Sequence, residues 1–272
     1  DRHGNPTKTV NFALPRVQQL GFDAGRTIAN NVGMFPVVDM VIADSEFRDG
    51  SEVSFREEDQ AAFRAHAGRD IPDAITAKTG VKYDRIPGFP QDRIIPDDDP
   101  VLTYYRWFWG GGDGYAGFLT QDWKGLRTEA SGIRMLWDPG VRCPSKWGSG
   151  GQVDLIGHWT YVYPDPLVMG LATDEVFAML KGGPEHQQPT KMTQIIWYRS
   201  ATTGPLPEDR NAWAEWEQRL PEARFITIPP DMLEIALWQK LSRPVRAIMY
   251  HGAGSLWDKG SPGRSEERRV GK

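Results

Sequence analysis

The sequence is poor in the features that mark several common classes of protein. Its one cysteine, Cys143, excludes an intramolecular disulfide framework and a zinc site built from cysteines. No stretch approaches the ~20 apolar residues that cross a bilayer, so we expect no membrane partner. The net charge is −4 and the body of the chain has no basic block, so we expect no nucleic-acid partner either.

Motifs that bind phosphate groups or metal ions are also missing. The glycines at 110–112 follow an aromatic helix rather than a strand, and those between 148 and 151 lack the Lys-Ser/Thr of a P-loop. The histidines show neither His-x-His nor His-Glu-x-x-His spacing. The sequence therefore predicts no cofactor and no resident metal.

The two ends of the chain suggest a fragment. Residue 1 is Asp rather than Met, so the localisation stays open, and a secreted or periplasmic protein is compatible with a leader that has been removed. Residues 264–272, RSEERRVGK, resemble one reading frame of a common short-read sequencing adapter. We interpret them as a non-native tail, and the rest as a metagenomic fragment of a longer protein.

Short apolar strands alternate with helices along most of the chain. Apolar residues make up 39% of the sequence, which is enough for a core. This alternation predicts an α/β fold with a parallel sheet. The strands that we predict lie at 37–43, 133–137, 153–158, 191–197 and 245–250, with a short run at 225–228. The helices that we predict lie at 14–30, 56–67, from about 100, 115–123, 173–181, 209–219 and 230–241.

Nearly every predicted strand ends in a cluster of acidic, histidine or aromatic residues. In a (β/α)8 TIM barrel, the carboxyl ends of the strands and the loops after them build the active face. In an open doubly wound sheet, the ligand binds outside the same ends. Because only five or six strands are recognisable, we expect a barrel that is incomplete at its N-terminus. It would form a single domain over residues 1–260, with a loop excursion at about 68–98.

Two carboxylic acids follow predicted strands and are the candidate catalytic residues. Glu46 comes three residues after an apolar strand, and Asp138 ends the next one. A glycosidase needs two carboxyl groups at one sugar bond, one to protonate the leaving oxygen and one to attack or to activate water. The alternatives are a salt bridge from Glu46 to Arg48 or Arg26, and a turn that is capped by Asp138.

The aromatic content favours sugar binding. The chain has eleven tryptophans, and many aromatic residues lie near strand ends, where a flat ring beside polar groups suits a pyranose. The candidate substrate-binding residues are Asp49, His158, Trp159, Tyr161, Gln194, Trp197, Tyr198, Arg199 and His251. Trp137, Tyr163 and Trp257 also lie near strand ends. The alternative is ordinary packing, which we expect for the helical Trp107, Trp213, Trp216 and Trp238.

Three segments resemble the retaining (β/α)8 glycoside hydrolases of the β-galactosidase-like group. These are VVDMVIADSEFRDGS with the following FRAHAGRDIP, then DPVLTYYRWFW, and PPDMLEIALWQKLSRPVRAIMYHGAGSLWD near the C-terminus. The resemblance implies that Glu46 is the general acid/base. That group has a nucleophilic Glu at the end of its penultimate strand, whereas here residues 191–198 contain no carboxylate. Either Asp138 replaces it from another strand, or the chain is a divergent member that has lost activity.

Three functions remain open at this point. The first is a glycoside hydrolase with Glu46 and Asp138 as its carboxyl pair, acting on an oligosaccharide or glycoside. The second is a carbohydrate-binding barrel without catalysis. The third is a metal-dependent barrel hydrolase or isomerase that uses His158 and His251 with the two acids.

Overall fold

The structure is a computed structural model of the chain. It describes residues 1–8, 10–44, 53–75, 94–112, 114–138, 150–157, 159–160, 166–194, 196–198, 208–212, 218, 225–227 and 230–251. Its contacts divide the chain into two compact units. Unit 1 consists of Asp1–His158 and Glu175–Pro189, and unit 2 of Trp159–Asp174 and Thr190–Lys272. Within the described residues, no helix is both long enough and apolar enough to span a membrane.

Helices and strands alternate, as the sequence predicts. The helices are α1 (Pro15–Val32), α2 (Glu57–Ala67), α3 (Pro100–Trp107), a π-helical turn (Phe108–Gly112), α4 (Tyr115–Arg127), α5 (Pro166–Leu180), a 3-10 turn (Arg210–Ala212) and α6 (Pro230–Leu241). The strands are β1 (Met40–Asp44), β2 (Arg134–Trp137), β3 (Leu155–Ile156), β4 (Trp159–Thr160), β5 (Gln188–Gln194), β6 (Ile196–Tyr198), β7 (Phe225–Thr227) and β8 (Ala247–His251).

The main strands pair in parallel, and β3 and β4 both pair with β5. In unit 1, β1 pairs with β2, β2 with β3, and β3 with the start of β5. In unit 2, the rest of β5 pairs with β4 and with β8. The α/β class and the parallel sheet are therefore confirmed. The (β/α)8 barrel, incomplete at its N-terminus, and the single domain over 1–260 stay predictions.

The sheet of unit 1 is buried on both faces near its centre. Met135 and Trp137 of β2 pack with helices α1 and α4, and both are fully buried. Leu136 and Leu155 pair in register, are also buried, and do not belong to that cluster. Because successive side chains of a strand point to opposite faces, these two leucines lie on the face away from the helices. Burial on both faces is typical of parallel sheets.

Helices α1 and α4 approach so closely that glycine is required between them. A Cβ atom at Gly25 would lie 1.9 Å from the backbone oxygen of Asp122. A Cβ atom at Gly125 would lie 2.0 Å from the backbone oxygen of Phe22. The two helices therefore contact each other backbone to backbone. They form a layer against β2 and β3.

The aromatic helix predicted from about residue 100 is confirmed. Asp99 caps α3, because its carboxylate accepts hydrogen bonds from the backbone nitrogens of Val101 at 2.8 Å and Leu102 at 3.0 Å. Pro100 takes the first helical position, where proline costs no hydrogen bond. The helix and the turn after it supply most of a second core cluster. Its fully buried aromatic members are Phe63, Tyr104, Tyr105, Phe108 and Trp109.

Several segments differ from the prediction in their bounds or pairing. The helix predicted at 173–181 begins at Pro166, and the strand predicted at 191–197 is two strands, β5 and β6. The short run at 225–228 forms β7, which pairs antiparallel with β6 and so departs from the parallel pattern. The helix predicted at 209–219 stays a prediction, because residues 213–217 and 219 lie outside the described residues; those described there form a 3-10 turn at Arg210–Ala212 and a helical residue at 218.

Two expectations about tryptophans were also wrong. Trp238 is 62% exposed, so it does not pack in the core as a helical tryptophan was expected to do. Trp137 lies near a strand end, but it is fully buried against α4, so its ring is not exposed to contact a sugar.

Candidate functional site

The ends of β1 and β2 lie side by side in unit 1. Asp44 is paired with Trp137, and a bulge between Ile42 and Asp44 shifts the register by one residue just before this point. Trp137 also accepts a hydrogen bond from the backbone nitrogen of Gly157 at 3.0 Å, which fixes the end of β2 against the chain after β3. Asp138 follows directly and is 1% exposed. A buried carboxyl group therefore stands at the carboxyl end of a parallel strand, next to the end of β1.

The other candidate residues are described only in part. Glu46, Asp49, His158, Tyr161 and Arg199 lie outside the described residues, as do Tyr163, Trp213, Trp216 and Trp257. For Trp159, Gln194, Trp197, Tyr198 and His251, the structure gives the backbone alone. Glu46 comes two residues after Asp44 in the chain.

In unit 2, two of the candidates are neighbours on adjacent strands. Gln194 is paired with His251 at the carboxyl ends of the parallel strands β5 and β8. Trp159 belongs to β4 and pairs with Met192, on the other side of β5. The parallel pattern thus places these backbones together, as expected for residues that end neighbouring strands.

Trp197 and Tyr198 differ from this pattern. They lie in β6, where Trp197 pairs with Ile226 and Tyr198 with Phe225 in an antiparallel ladder. They do not end a parallel strand, contrary to the prediction from the sequence.

Unit 2 also holds a buried amine beside a tyrosine. Lys240 of α6 is fully buried, and its Nζ atom is 5.2 Å from the centre of the Tyr250 ring. Burial disfavours the charged ammonium and lowers the pKa of Lys240 to about 8. Burial also raises the pKa of the Tyr250 phenol above its usual value. Tyr250 immediately precedes His251 on β8.

The sequence did not predict a pocket that unit 1 contains. This α2–α3 pocket has a volume of about 620 Å³, which is within the range of small-molecule sites. It is lined by Ala13, Asp59, Ala62, His66, Arg106, Trp107, Gly110, Gly111 and Gly112. Two signals in the sequence could have indicated it. Residues 59, 62 and 66 share one face of α2, and three successive glycines follow an aromatic helix.

No group of three or more His, Cys, Asp or Glu side chains among the described residues is arranged to hold a metal ion. This finding covers Asp138 but not Glu46 or His158, which lie outside those residues.

Comparison with known proteins gives no match by sequence family and a weak similarity to solved structures. Neither a scan of protein-family models nor a search of curated proteins found a match. Among solved structures, the chain is similar to a β-galactosidase from the psychrophilic Marinomonas ef1. The identity is 14% and the TM-score 0.45, over 92% of this chain. The chain spans 40% of the length of that β-galactosidase.

Proposed function

We propose that the chain is the core of a glycoside hydrolase that cleaves glycosidic bonds with Glu46 and Asp138 as its carboxyl pair. One observation carries this proposal: the register of β1 and β2, which pairs Asp44 with Trp137. Each strand is followed at once by one of the two acids, because Asp138 comes one residue after Trp137 and Glu46 two residues after Asp44.

The chemistry requires two carboxyl groups with different environments. One carboxyl protonates the departing glycosidic oxygen, and the other attacks the anomeric carbon or activates a water molecule. Asp138 is 1% exposed, and a buried carboxyl group can be tuned to a role different from that of a second acid. We assign the acid/base role to Glu46 and the partner role to Asp138.

The test compares the wild-type chain with Glu46→Gln and Asp138→Asn on a panel of aryl glycosides whose leaving phenols are weakly acidic, so that their departure needs protonation. Loss of a general acid or base costs roughly 10²–10⁴-fold in rate, so we expect both variants to lose at least 100-fold in kcat. Asp39→Asn is the matched control. Asp39 comes directly before the first residue of β1 and forms an exposed ion pair with Arg134. It should keep the wild-type rate.

A second measurement separates the two acids. With a substrate whose leaving group is already acidic, Glu46→Gln should recover most of its kcat/KM, because the leaving group then needs little protonation to depart. Asp138→Asn should stay slow on every substrate. The proposal fails if the wild-type chain hydrolyses no glycoside in the panel, or if both variants hydrolyse as fast as Asp39→Asn.

The proposed sugar-binding residues are tested individually on the same substrates. These are Asp49, His158, Trp159, Tyr161, Gln194, Trp197, Tyr198, Arg199 and His251. Replacing a residue that contacts the sugar should raise KM or lower kcat/KM, while the thermal midpoint stays unchanged.

A further inference from the structure

The α2–α3 pocket combines apolar walls with a few fixed polar groups. Ala13, Ala62 and the Trp107 indole supply apolar surface, and Asp59, His66 and Arg106 supply polar atoms. The indole is held by its neighbours, since its ring centre is 5.1 Å from that of Phe63. A pocket of this composition orients a ligand by hydrogen bonds and covers the rest of it with apolar surface.

The three glycines make one wall of the pocket from backbone alone. A Cβ atom at Gly112 would lie 2.5 Å from the Trp107 ring, so any side chain there would collide with the indole. A Cβ atom at Gly111 would meet nothing within 4 Å. The π-helical turn thus passes close over Trp107 and leaves space beside it.

The charges of the pocket favour a neutral ligand. Asp59 is 9% exposed, and among the described residues Asn11 donates to its Oδ2 atom at 3.1 Å and Ser54 at 2.5 Å. Both donors use Oδ2, so Oδ1 can accept from a ligand hydroxyl. The Arg106 guanidinium lines the same pocket and also forms an ion pair with Asp97 at 2.9 Å. An anion would meet the Asp59 carboxylate, and a cation would meet the guanidinium.

We propose that the α2–α3 pocket binds one pyranose ring of a neutral carbohydrate. The C–H face of the ring lies against Trp107 and the alanines. The hydroxyls accept hydrogen bonds from Arg106 and His66 and donate to Asp59, which uses the donor and acceptor capacity of each side chain. The choice of a sugar as ligand rests on the proposed function. The residues of this pocket are different from the proposed catalytic pair.

The test reads binding at Trp107 itself. The full chain is labelled with fluorotryptophan, and the Trp107 resonance is assigned by its loss in Trp107→Phe. Lactose, cellobiose and xylobiose are titrated separately into a labelled chain that also carries Glu46→Gln, so that no disaccharide is hydrolysed. We expect the Trp107 resonance to shift and saturate with at least one disaccharide.

Two matched variants decide whether the pocket is responsible. Gly111→Leu places a side chain where a Cβ atom meets no neighbour, and we expect it to weaken the binding at least tenfold. Gly132→Leu is the control, because a Cβ atom at Gly132 also meets nothing within 4 Å and that residue does not line the pocket. It should bind like the background chain. His66→Ala removes an exposed side chain and should weaken binding several-fold without affecting folding.

Three results would overturn the pocket proposal. They are no shift of the Trp107 resonance with any disaccharide, an unchanged shift in Gly111→Leu, or saturation by inorganic phosphate at the same concentrations. The outcome is independent of the glycosidase test. If the chain binds a disaccharide at Trp107 but hydrolyses no glycoside, the pocket proposal stands and the proposed function is refuted. If the chain hydrolyses glycosides but the Trp107 resonance does not shift, the proposed function stands and the pocket proposal is refuted.

Discussion

Asp154 holds the guanidinium of Arg127 at 2.5 Å and so links the end of α4 to the start of β3. The same carboxylate accepts hydrogen bonds from the backbone nitrogen of Met135 at 2.7 Å and from the Trp123 indole at 3.2 Å. Three donors from a helix and from strand β2 therefore meet one largely buried acid. Such a junction differs from a surface ion pair, because removing the acid would leave each donor without this hydrogen-bond partner in a largely buried place.

Replacing Asp154 should destabilise unit 1 strongly. Asp154→Ala leaves the Met135 amide and the Arg127 guanidinium without this acceptor, and we expect a loss of about 3 kcal/mol in the free energy of unfolding. Urea denaturation monitored by tryptophan fluorescence measures it. Asp23→Ala is the control, since Asp23 pairs with Arg26 on the exposed face of α1. It should change stability by less than about 0.5 kcal/mol. Equal losses in the two variants would contradict the prediction.

Asp122 should make the protein less stable as the pH rises through the weakly acidic range. Its carboxyl is 4% exposed, and burial raises its pKa from 3.8 to about 6. The folded state therefore binds this proton more tightly than the unfolded state, and the stability that this gives is lost between about pH 4 and pH 6. Asp122→Asn should be more stable than the wild type by about 2–3 kcal/mol at pH 7.5 and about equal at pH 4.

The check on Asp122 is a pair of urea titrations at pH 4 and pH 7.5 for the wild type, Asp122→Asn and the exposed control Asp23→Asn. If Asp122→Asn follows the same pH dependence as the wild type, burial does not hold this carboxyl in its protonated form.

Lys240 should have the opposite dependence in the alkaline range. Its amine is fully buried, and the pKa is lowered from 10.5 to about 8. The unfolded state then binds more protons between about pH 8 and pH 10.5, so stability rises with pH there. Lys240→Met should raise the free energy of unfolding by about 1–3 kcal/mol at pH 7. The cation–π attraction between Lys240 and Tyr250, which this variant loses, reduces that gain. The gain should shrink towards pH 10. The exposed Lys124→Met should show no such trend in thermal unfolding.

The backbone contact between α1 and α4 should not tolerate even a methyl group. Gly25→Ala places a Cβ atom 1.9 Å from the Asp122 backbone oxygen, so the helices must separate, and we expect a loss of about 2–3 kcal/mol. Gly132→Ala adds the same methyl group in open space and should be nearly neutral. Thermal midpoints of the two variants test this prediction. A stable Gly25→Ala would mean that the helices can separate at little cost.

The sequence predicted the parallel strands well because their signal is local. Val41 and Leu136 belong to short apolar runs, and such runs with polar ends are typical of buried parallel strands. The cap of α3 was equally local, since Asp99 and Pro100 are adjacent. The polar residues at the ends of the predicted strands also indicated Asp138, which lies beside the end of β1 in the structure.

Features that depend on distant partners were not predicted. The apolar spacing of Val17, Leu20 and Ile28 predicted helix α1, but Leu20 is 58% exposed, and the fully buried side is Gly21, Gly25 and Ala29. Only the close approach of α4 explains why small residues form the buried stripe. In the same way, the α2–α3 pocket depends on the close approach of Gly112 to the Trp107 ring, and the spacing of residues on α2 indicates only one of its walls.

The two compact units are interleaved in the chain, with crossings after residues 158, 174 and 189. Val176 and Met179 are fully buried in the core of unit 1, although they come after the first crossing. During synthesis, therefore, unit 1 cannot close its core until residue 179 has left the ribosome. A truncation at residue 158 would leave the surface of Trp137 and Ile156 without two of its packing partners, and it would be a poor choice for expressing unit 1 alone.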